Sequence, residues 1–322
     1  MSESSERAIG VVGQGPWMKM LVDLARTHGR RVVLWAAGDV EADDLGDLSG
    51  VTVAADAELL CESSRTILMA TTFPELPSIC ERLGEHVQGH HQVVHTLQGM
   101  EPGTGRFATE IITELTCVRQ VGALVGPIYP DMYLEGKPCG AIIGSEFPQV
   151  IDHLQGWLTS PRLRLYGSRD LAGVETAAAA VRPIAAAFGL ASVLELGPSA
   201  RGMLMARGVA EVARLVEAFG GNARTAFGMA GLGSLATQVE PPGASAYQIG
   251  EMLARGESLE AIVEAHGARA RDLIETSRQL SARAEEDGVA SHIVGALARM
   301  FSGELSAPAA MRELFALRQM ME

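Results

Sequence analysis

The stretch AIGVVGQGPWM, residues 8–18, decides the fold that the sequence predicts. Its first five residues form a continuous apolar run, which is typical of a strand buried on both faces. A glycine turn, GQG at 13–15, follows at once, and apolar periodicity predicts a helix over residues 17–28. A strand, a glycine turn and a helix in this order can cradle a dinucleotide pyrophosphate at the helix N-terminus. The candidate cofactor-binding residues are Gly13, Gly15 and Trp17.

Several residues depart from the pattern of a strong dinucleotide site. Met18 stands where a third glycine allows close packing of helix on strand, and Pro16 removes a backbone N–H from the turn. After the second predicted strand, Asp39 is a late candidate for a ribose contact. Two interpretations stay open: the turn binds a cofactor, or it is a structural turn that binds one weakly or not at all. Trp17 has the same two interpretations, a cofactor contact or a packing residue.

Short apolar runs alternate with helical patterns through the first half of the chain. The predicted strands cover 8–12, 31–35, 51–53, 66–71, 92–96, 120–125, 141–143 and 163–166. The clearest helices between them cover 75–84, 106–116 and 147–158. This alternation requires crossover connections and predicts a largely parallel sheet with helices on both faces. We assign residues 1–170 to this first domain.

Alanine-rich helical segments replace the strands after about residue 170. They cover 172–191, 199–219, 247–255, 258–265, 268–287 and 289–301, with glycine or proline between them. Small residues such as those at 177–180 indicate close helix packing. The predicted architecture is therefore an α/β N-terminal domain followed by an all-α C-terminal domain at residues 171–322.

The composition of the 322 residues excludes several classes of protein. Apolar residues make up 47% and charged residues 20%, the balance of a globular protein. The 26 basic and 39 acidic residues give a net charge of −13, so nucleic acid and anionic membranes are poor partners. With no run of about 18 apolar residues and no signal sequence in MSESSERA, we expect a cytoplasmic protein. The four scattered cysteines predict neither disulfides nor a zinc site.

Side chains that carry chemistry are sparse in this sequence. Lys19 and Lys137 are the only lysines, which excludes a site built from several lysines. The histidines cluster at His86, His90, His91 and His95. This cluster lacks the acidic or cysteine partners that would complete a ligand set, so we expect no metal site. His95 closes a predicted strand at the edge where α/β sheets bind ligands, and Glu175 is expected to cap a helix or pair with an arginine.

A series of motifs runs through the chain in a fixed order. They are GQGPW at 13–17, VVLW at 32–35, QGMEP at 98–102, GP at 126–127, EGKP at 135–138, SPR at 160–162, GVE at 173–175, RGVAE at 207–211 and GMAGLG at 228–233. In order and spacing they resemble the bacterial NAD(P)-dependent glycerol-3-phosphate dehydrogenases. The resemblance implies an N-terminal Rossmann-like dinucleotide-binding domain, a helical C-terminal domain of the dehydrogenase type and an active cleft between them. It also implies a homodimer.

The resemblance further implies where catalytic residues lie, and those positions have changed in this chain. Three family lysines fall on Gln98, Asp131 and Val181, and a family aspartate falls on Ser234. Reducing a ketone needs a general acid and cations that face the developing alkoxide, which an aliphatic side chain does not supply. Arg182 is the candidate substitute, although its pKa is too high for a good proton donor.

Two classes of function stay open on this sequence. In the first, the scaffold persists without its chemistry, and the protein is a dinucleotide sensor or a regulatory module with a protein partner. In the second, it is an active NAD(P)-dependent oxidoreductase that acts on glycerol 3-phosphate or on a different, non-phosphorylated substrate. Binding of NAD or NADP is weakened or lost in the first class and retained in the second.

Overall fold

The computed structural model describes residues 8–37, 49–239 and 244–316, which divide into two units. The first unit takes the described residues up to Gln98 and then Arg106–Glu175. The second unit takes Gly99–Gly105 and the described residues from Thr176 onward. The change between them at Glu175 lies slightly beyond the boundary that we predict at residue 170.

An eight-stranded sheet forms the centre of the first unit. Its strands are β1 (Ala8–Gly13), β2 (Arg31–Trp35), β3 (Val51–Val53), β4 (Thr66–Ala70), β5 (Gln92–His95), β6 (Gln120–Val125), β7 (Cys139–Gly144) and β8 (Leu163–Ser168). Their order is β3-β2-β1-β4-β5-β6-β7-β8, and every neighbouring pair is parallel except β6 and β7. The first six strands follow the order of a Rossmann fold. The predicted α/β class is confirmed.

Helices cover both faces of this sheet. They are α1 (Gly15–Thr27), α2 (Ala57–Ser63), α3 (Leu76–Gly84), α4 (Ala108–Leu115), α5 (Pro130–Leu134) and α6 (Pro148–Leu158). Ile9 and Val11 of β1 join the apolar cluster of α1 and α6, while Ala8 and Val12 join the cluster of α2, α3 and α4. Side chains alternate between the faces of a strand, so two covered faces require the unbroken apolar run that the sequence shows.

The centre of the sheet creates a crevice at its carboxyl edge. Strand β1 lies between β2 and β4, so the chain leaves β1 in one direction and returns on the other side. Gly13 at the end of β1 pairs with Ala70 at the end of β4. Open α/β sheets bind ligands at such a topological switch point, which directs attention to the loops after these two strands.

The described part of the second unit consists of helices and helical turns. They are α7 (Leu171–Val193, entering this unit at Thr176), α8 (Gly197–Ala218), a 3₁₀ turn (Ala223–Phe227), a π-helical turn (Met229–Gly233), α9 (Ser234–Gln238), α10 (Ser245–Ala254), α11 (Leu259–His266), α12 (Ala268–Glu286), α13 (His292–Phe301) and α14 (Ala307–Ala316). A Cβ at Gly189 of α7 would lie 1.9 Å from the carbonyl oxygen of Tyr247 on α10. This close approach of two backbones agrees with the small residues of the sequence.

A buried carboxylate stabilises the start of α13. Glu211 on α8 accepts the N–H of Ile293 at 2.9 and 3.0 Å and the N–H of Val294 at 2.8 Å. Burial raises the pKa of Glu211, although these backbone donors oppose that shift. The carboxylate therefore satisfies N–H groups that the first turn of a helix leaves without partners.

Within the described residues, α7 is the helix whose length and composition would allow it to cross a membrane. Its mean hydropathy is 1.4 over an 18-residue window, and 83% of that window is buried inside the protein. Glu175 and Arg182 interrupt the apolar run, so the sequence itself shows no unbroken stretch of that length. Such burial is also what the core helix of a globular protein shows.

Candidate functional site

The turn between β1 and α1 holds two glycines for two different reasons. Gly13 has a φ of +121°, and a Cβ there would lie 1.8 Å from the carbonyl oxygen of Ala70. Gly15 has a φ of +76°, yet apart from its chain neighbours and the backbone of its own helix, no atom of the described residues lies within 4 Å of the place its Cβ would take. Gly13 is therefore required by the contact of two strands, whereas Gly15 leaves open space over the start of α1.

The first turn of α1 has an unusual set of side chains for an anion site. Pro16 supplies no N–H, and Gln14 precedes the helix with an extended backbone. Met18 is fully buried in an apolar cluster, so the helix accommodates this residue within its packed face. Trp17 packs partly buried against the same cluster, and its contact with a cofactor stays a prediction.

A carboxylate lies beside this turn, on the loop between β4 and α3. Oε2 of Glu75 accepts the hydroxyls of Thr71 at 3.1 Å and Thr72 at 2.8 Å, and also the N–H of Thr72 at 3.1 Å. Oε1 of Glu75 accepts a bond from Nε2 of Gln14 at 3.3 Å. Glu75 thus joins the two loops that flank the switch point. Sequence reasoning missed it, although Thr72 and Glu75 have the Thr-x-x-Glu spacing of a capping box.

The end of β2 is a packed segment. Trp35 is 3% exposed, and the guanidinium of Arg82 lies over its ring at 4.3 Å from the centroid. Ala37 follows with a φ of +57°, which is uncommon for a residue other than glycine. Asp39, the predicted ribose contact, lies outside the described residues.

His95 ends β5 and forms a buried pair with Glu175. Its Nε2 lies 3.0 Å from Oε1 of Glu175 and 3.3 Å from Oγ1 of Thr109, and the His95 side chain is fully buried. The same Oε1 accepts the N–H of Thr109 at 3.1 Å, in the first turn of α4. Nδ1 of His95 is buried without a hydrogen-bond partner among the described residues. Of the two roles expected for Glu175, a helix cap or an arginine pair, the structure shows a cap at the start of α4, together with the pair to His95.

Two of the positions where the resemblance predicts catalytic lysines lie in the first unit. Gln98 is half-buried beyond the end of β5. Asp131 is exposed in the first turn of α5, directly after Pro130. One position therefore holds a neutral amide and the other a carboxylate.

The second unit holds two more of the predicted catalytic positions. Val181 lies in α7 and is fully buried, so this predicted lysine position holds an aliphatic side chain. Ser234 begins α9 and is 3% exposed. Its hydroxyl donates to the carbonyl of Met229 at 3.1 Å, which gives it a role in holding the π-helical turn.

Arg182, the candidate substitute cation, contacts α12 within the same unit. Its Nη2 donates to the carbonyl oxygen of Arg269 at 3.1 Å. Burial lowers the pKa of Arg182, while the charge of Asp272 opposes that shift. Burial likewise raises the pKa of Asp272, with Arg182 opposing. These contacts give Arg182 a packing role between α7 and α12.

Three of the four clustered histidines line a small cavity of the first unit. The cavity is about 240 Å³, and its lining includes His86, His90, His91 and Cys61. His91 accepts the N–H of Gln88 at Nδ1, 2.9 Å away, and its Nε2 lies 3.0 Å from the carbonyl oxygen of Cys61. Across the three described ranges, no group of three or more His, Cys, Asp or Glu side chains is arranged to hold a metal ion.

The strand order, the glycine turn and the switch point define the class of this protein. It combines a Rossmann-type unit, as found in dinucleotide-dependent dehydrogenases, with an all-helical second unit. Its second unit follows the sheet in the sequence and supplies long, closely packed helices.

Comparison with known proteins gives the family. Models of the N-terminus and the C-terminus of NAD-dependent glycerol-3-phosphate dehydrogenase match residues 8–151 and 170–312. A glycerol-3-phosphate dehydrogenase (NAD(P)+) of Bradyrhizobium diazoefficiens is 33% identical over 272 residues, 81% of this chain and 83% of the relative. One from Neisseria meningitidis serogroup C is 30% identical over 269 residues, 79% of this chain and 82% of the relative. The chain belongs to the NAD-dependent glycerol-3-phosphate dehydrogenase family.

Solved structures share this fold over nearly the whole chain. Glycerol-3-phosphate dehydrogenase from Coxiella burnetii has a TM-score of 0.85 at 24% identity, covering 97% of this chain and 99% of that one. The enzyme from Saccharomyces cerevisiae has a TM-score of 0.85 at 17% identity, covering 96% and 99%. The predicted order of an α/β unit and a helical unit is confirmed.

Proposed function

We propose that this family member keeps a dinucleotide-binding scaffold but has lost dehydrogenase chemistry. It acts as a dinucleotide sensor or as a regulatory scaffold for a protein partner. The open space over Gly15 fits a pyrophosphate that approaches the start of α1, and this supports retained binding of NAD or NADP. Glu75 and Pro16 oppose that binding, which supports a weakened affinity.

The observation that carries the proposal is Val181. A dehydrogenase needs a group that exchanges a proton with the reacting oxygen, and such help is typically worth about 10²–10⁴-fold in rate. Val181 is fully buried and has no polar atom beyond its backbone, so α7 supplies no proton at that position. Arg182 beside it is engaged with the carbonyl of Arg269, and a guanidinium seldom gives up its proton.

The phosphate group of glycerol 3-phosphate also lacks its expected partners. A dianionic phosphate that leaves water needs cationic donors, because an unpaired charge is costly to bury. Gln98 offers a neutral amide, and the exposed carboxylate of Asp131 repels an anion. Both changes act against the family's substrate in addition to the loss of a proton donor.

Titration with four dinucleotides tests the retained part of the function. NAD+, NADH, NADP+ and NADPH are added to the purified protein while heat or tryptophan fluorescence is recorded. We expect saturable binding of at least one of them and no turnover of glycerol 3-phosphate. The absence of binding at millimolar concentrations contradicts the sensor proposal, and turnover at an ordinary dehydrogenase rate contradicts the loss of chemistry.

The buried pair of His95 and Glu175 supports a second candidate, an active oxidoreductase on a non-phosphorylated alcohol. Glu175 orients the ring through Nε2, and Nδ1 is the ring nitrogen without a described partner. A carboxylate that orients a histidine is the arrangement of many proton-transfer sites. In this candidate Nδ1 of His95 would accept the hydroxyl proton of a secondary alcohol. A bound nicotinamide dinucleotide would supply the hydride acceptor.

Replacement of His95 distinguishes this candidate from the first. His95→Asn keeps a polar side chain but removes the imidazole ring, so turnover of secondary alcohols falls by about 10²–10⁴-fold while dinucleotide affinity is unchanged. Equal turnover by the variant and the parent protein contradicts the candidate, as does an absence of turnover in both.

The family resemblance further supports a homodimer in the cytoplasm as part of the proposal. Sedimentation equilibrium measures the assembly directly, and a mass of about 34 kDa would contradict the dimer, because the chain itself has a mass of 34.0 kDa. Subcellular fractionation measures the location.

A further inference from the structure

The loops after β1 and β4 meet at the carboxylate side chain of Glu75. Gly13 and Ala70 end these neighbouring strands, and the N–H of Gln14 donates to the carbonyl of Ala70 at 3.3 Å. Glu75 is the N-cap residue directly before α3, and its carboxylate reaches back to both loops. The charge therefore lies at the switch point itself, beside the glycine turn.

The carboxylate of Glu75 is held in place by neutral groups. Thr71 and Thr72 supply two hydroxyls and a backbone N–H to Oε2. Gln14, the residue between the two glycines, supplies its side-chain amide to Oε1. None of these four donors cancels the negative charge, so a ligand that reaches the turn meets that charge directly.

A dinucleotide places its own negative charges at the same turn. In Rossmann folds the pyrophosphate lies against the glycine turn at the start of the first helix. Two like charges about 5 Å apart correspond to at least about a fourfold change in a dissociation constant, even with the full dielectric screening of bulk water. The bond of 3.3 Å from Nε2 of Gln14 to Oε1 of Glu75 places this carboxylate beside the turn that would receive the pyrophosphate.

We propose that Glu75 is a charge gate at the dinucleotide site, a carboxylate on the β4–α3 loop that weakens binding of a nicotinamide dinucleotide by repelling its pyrophosphate. The inference rests on the proposed binding function, because it concerns the affinity of the same turn. The weakened affinity is then an effect of the Glu75 carboxylate, while the fold of the glycine turn is kept. Replacing that charge with a neutral group of the same shape restores the affinity of the turn.

The test compares Glu75→Gln with the parent protein and with Glu81→Gln as a matched control. Glu81 is exposed on α3, and its replacement removes the same charge from the same helix. NADH and NADPH are titrated into each protein by calorimetry, and thermal melting shows that all three are folded. We expect the dissociation constant of Glu75→Gln to be lower than that of the parent protein by at least about fourfold, and that of the control to stay within about twofold.

The salt dependence and the opposite outcomes complete the test. Salt screens exposed charges. The ratio of the dissociation constants of the parent protein and Glu75→Gln therefore falls as NaCl rises from about 50 to about 500 mM. Equal affinities overturn the gate but leave dinucleotide binding intact. Weaker binding by Glu75→Gln also overturns it, because the carboxylate then serves as an acceptor for ribose hydroxyls. If neither protein binds at millimolar dinucleotide, both the gate and the proposed function fail.

Discussion

Alanine substitutions at the two glycines of the β1–α1 turn separate scaffold from ligand contact. At Gly13 a Cβ would lie 1.8 Å from the carbonyl oxygen of Ala70, at a φ of +121°. The strands must then shift, so overpacking and backbone strain together cost about 2–5 kcal/mol of unfolding free energy. At Gly15 the space is open and φ is +76°. There the strain, partly offset by a stiffer unfolded chain, costs about 1 kcal/mol.

Gly13→Ala has the larger effect on stability, but Gly15→Ala has the larger effect on dinucleotide affinity. A methyl group at Gly15 occupies the open space over α1, so Gly15→Ala weakens dinucleotide binding by about tenfold or more. Urea unfolding followed by circular dichroism measures the stability of both variants, and calorimetric titration measures binding. A Gly15→Ala variant that binds the dinucleotide as tightly as the parent protein refutes the placement of the pyrophosphate at this turn. A Gly13→Ala variant as stable as the parent refutes the packing argument.

The remaining predictions concern groups outside the turn. Glu211→Ala leaves N–H groups at the start of α13 without a partner and lowers the unfolding free energy by about 2–5 kcal/mol. Glu211→Gln keeps one acceptor, so its unfolding free energy falls by less. Urea unfolding of both variants checks which of them is the less stable. Cys117 is exposed, whereas burial raises the pKa of Cys61 and of Cys80 to about 12. A thiol reagent near neutral pH therefore modifies Cys117 before these two buried cysteines. Cys117→Ser removes the fast phase of the labelling reaction. Burial raises the pKa of Tyr133 from 10.0 to about 12. The stability that this protonated phenol contributes is therefore complete below pH 10 and is lost as the pH rises toward 12. Melting temperatures of the parent protein and of Tyr133→Phe across that pH range measure the loss.

The sheet could be predicted from the sequence because parallel strands read as unbroken apolar runs. Each of the eight predicted strands is present, with ends shifted by a few residues at most. Helix α1 begins at Gly15 rather than at Trp17, since proline is well tolerated in the first turn of a helix. The short helix α5 was outside the prediction because five residues carry too little periodicity.

The site could be predicted only where it depends on local sequence. Gly13 and Gly15 follow from the strand–turn–helix order, and His95 follows from its position at the end of a strand. The partner of His95 could not be found in this way, because Glu175 is distant in the sequence and the fold alone brings the two together. The bond from Gln14 to Glu75 is equally nonlocal. A capping pattern predicts the start of α3 but not a contact with another loop.

The central claim is that this family member holds a dinucleotide without performing the family's reaction. A single-turnover experiment tests it most directly. The protein, in excess over bound NAD+ or NADP+, is mixed with saturating glycerol 3-phosphate, and the absorbance of the reduced nicotinamide is followed. The account predicts a bound dinucleotide that stays oxidised. Reduction at the ordinary enzymatic rate of about 1–10³ s⁻¹ would contradict it.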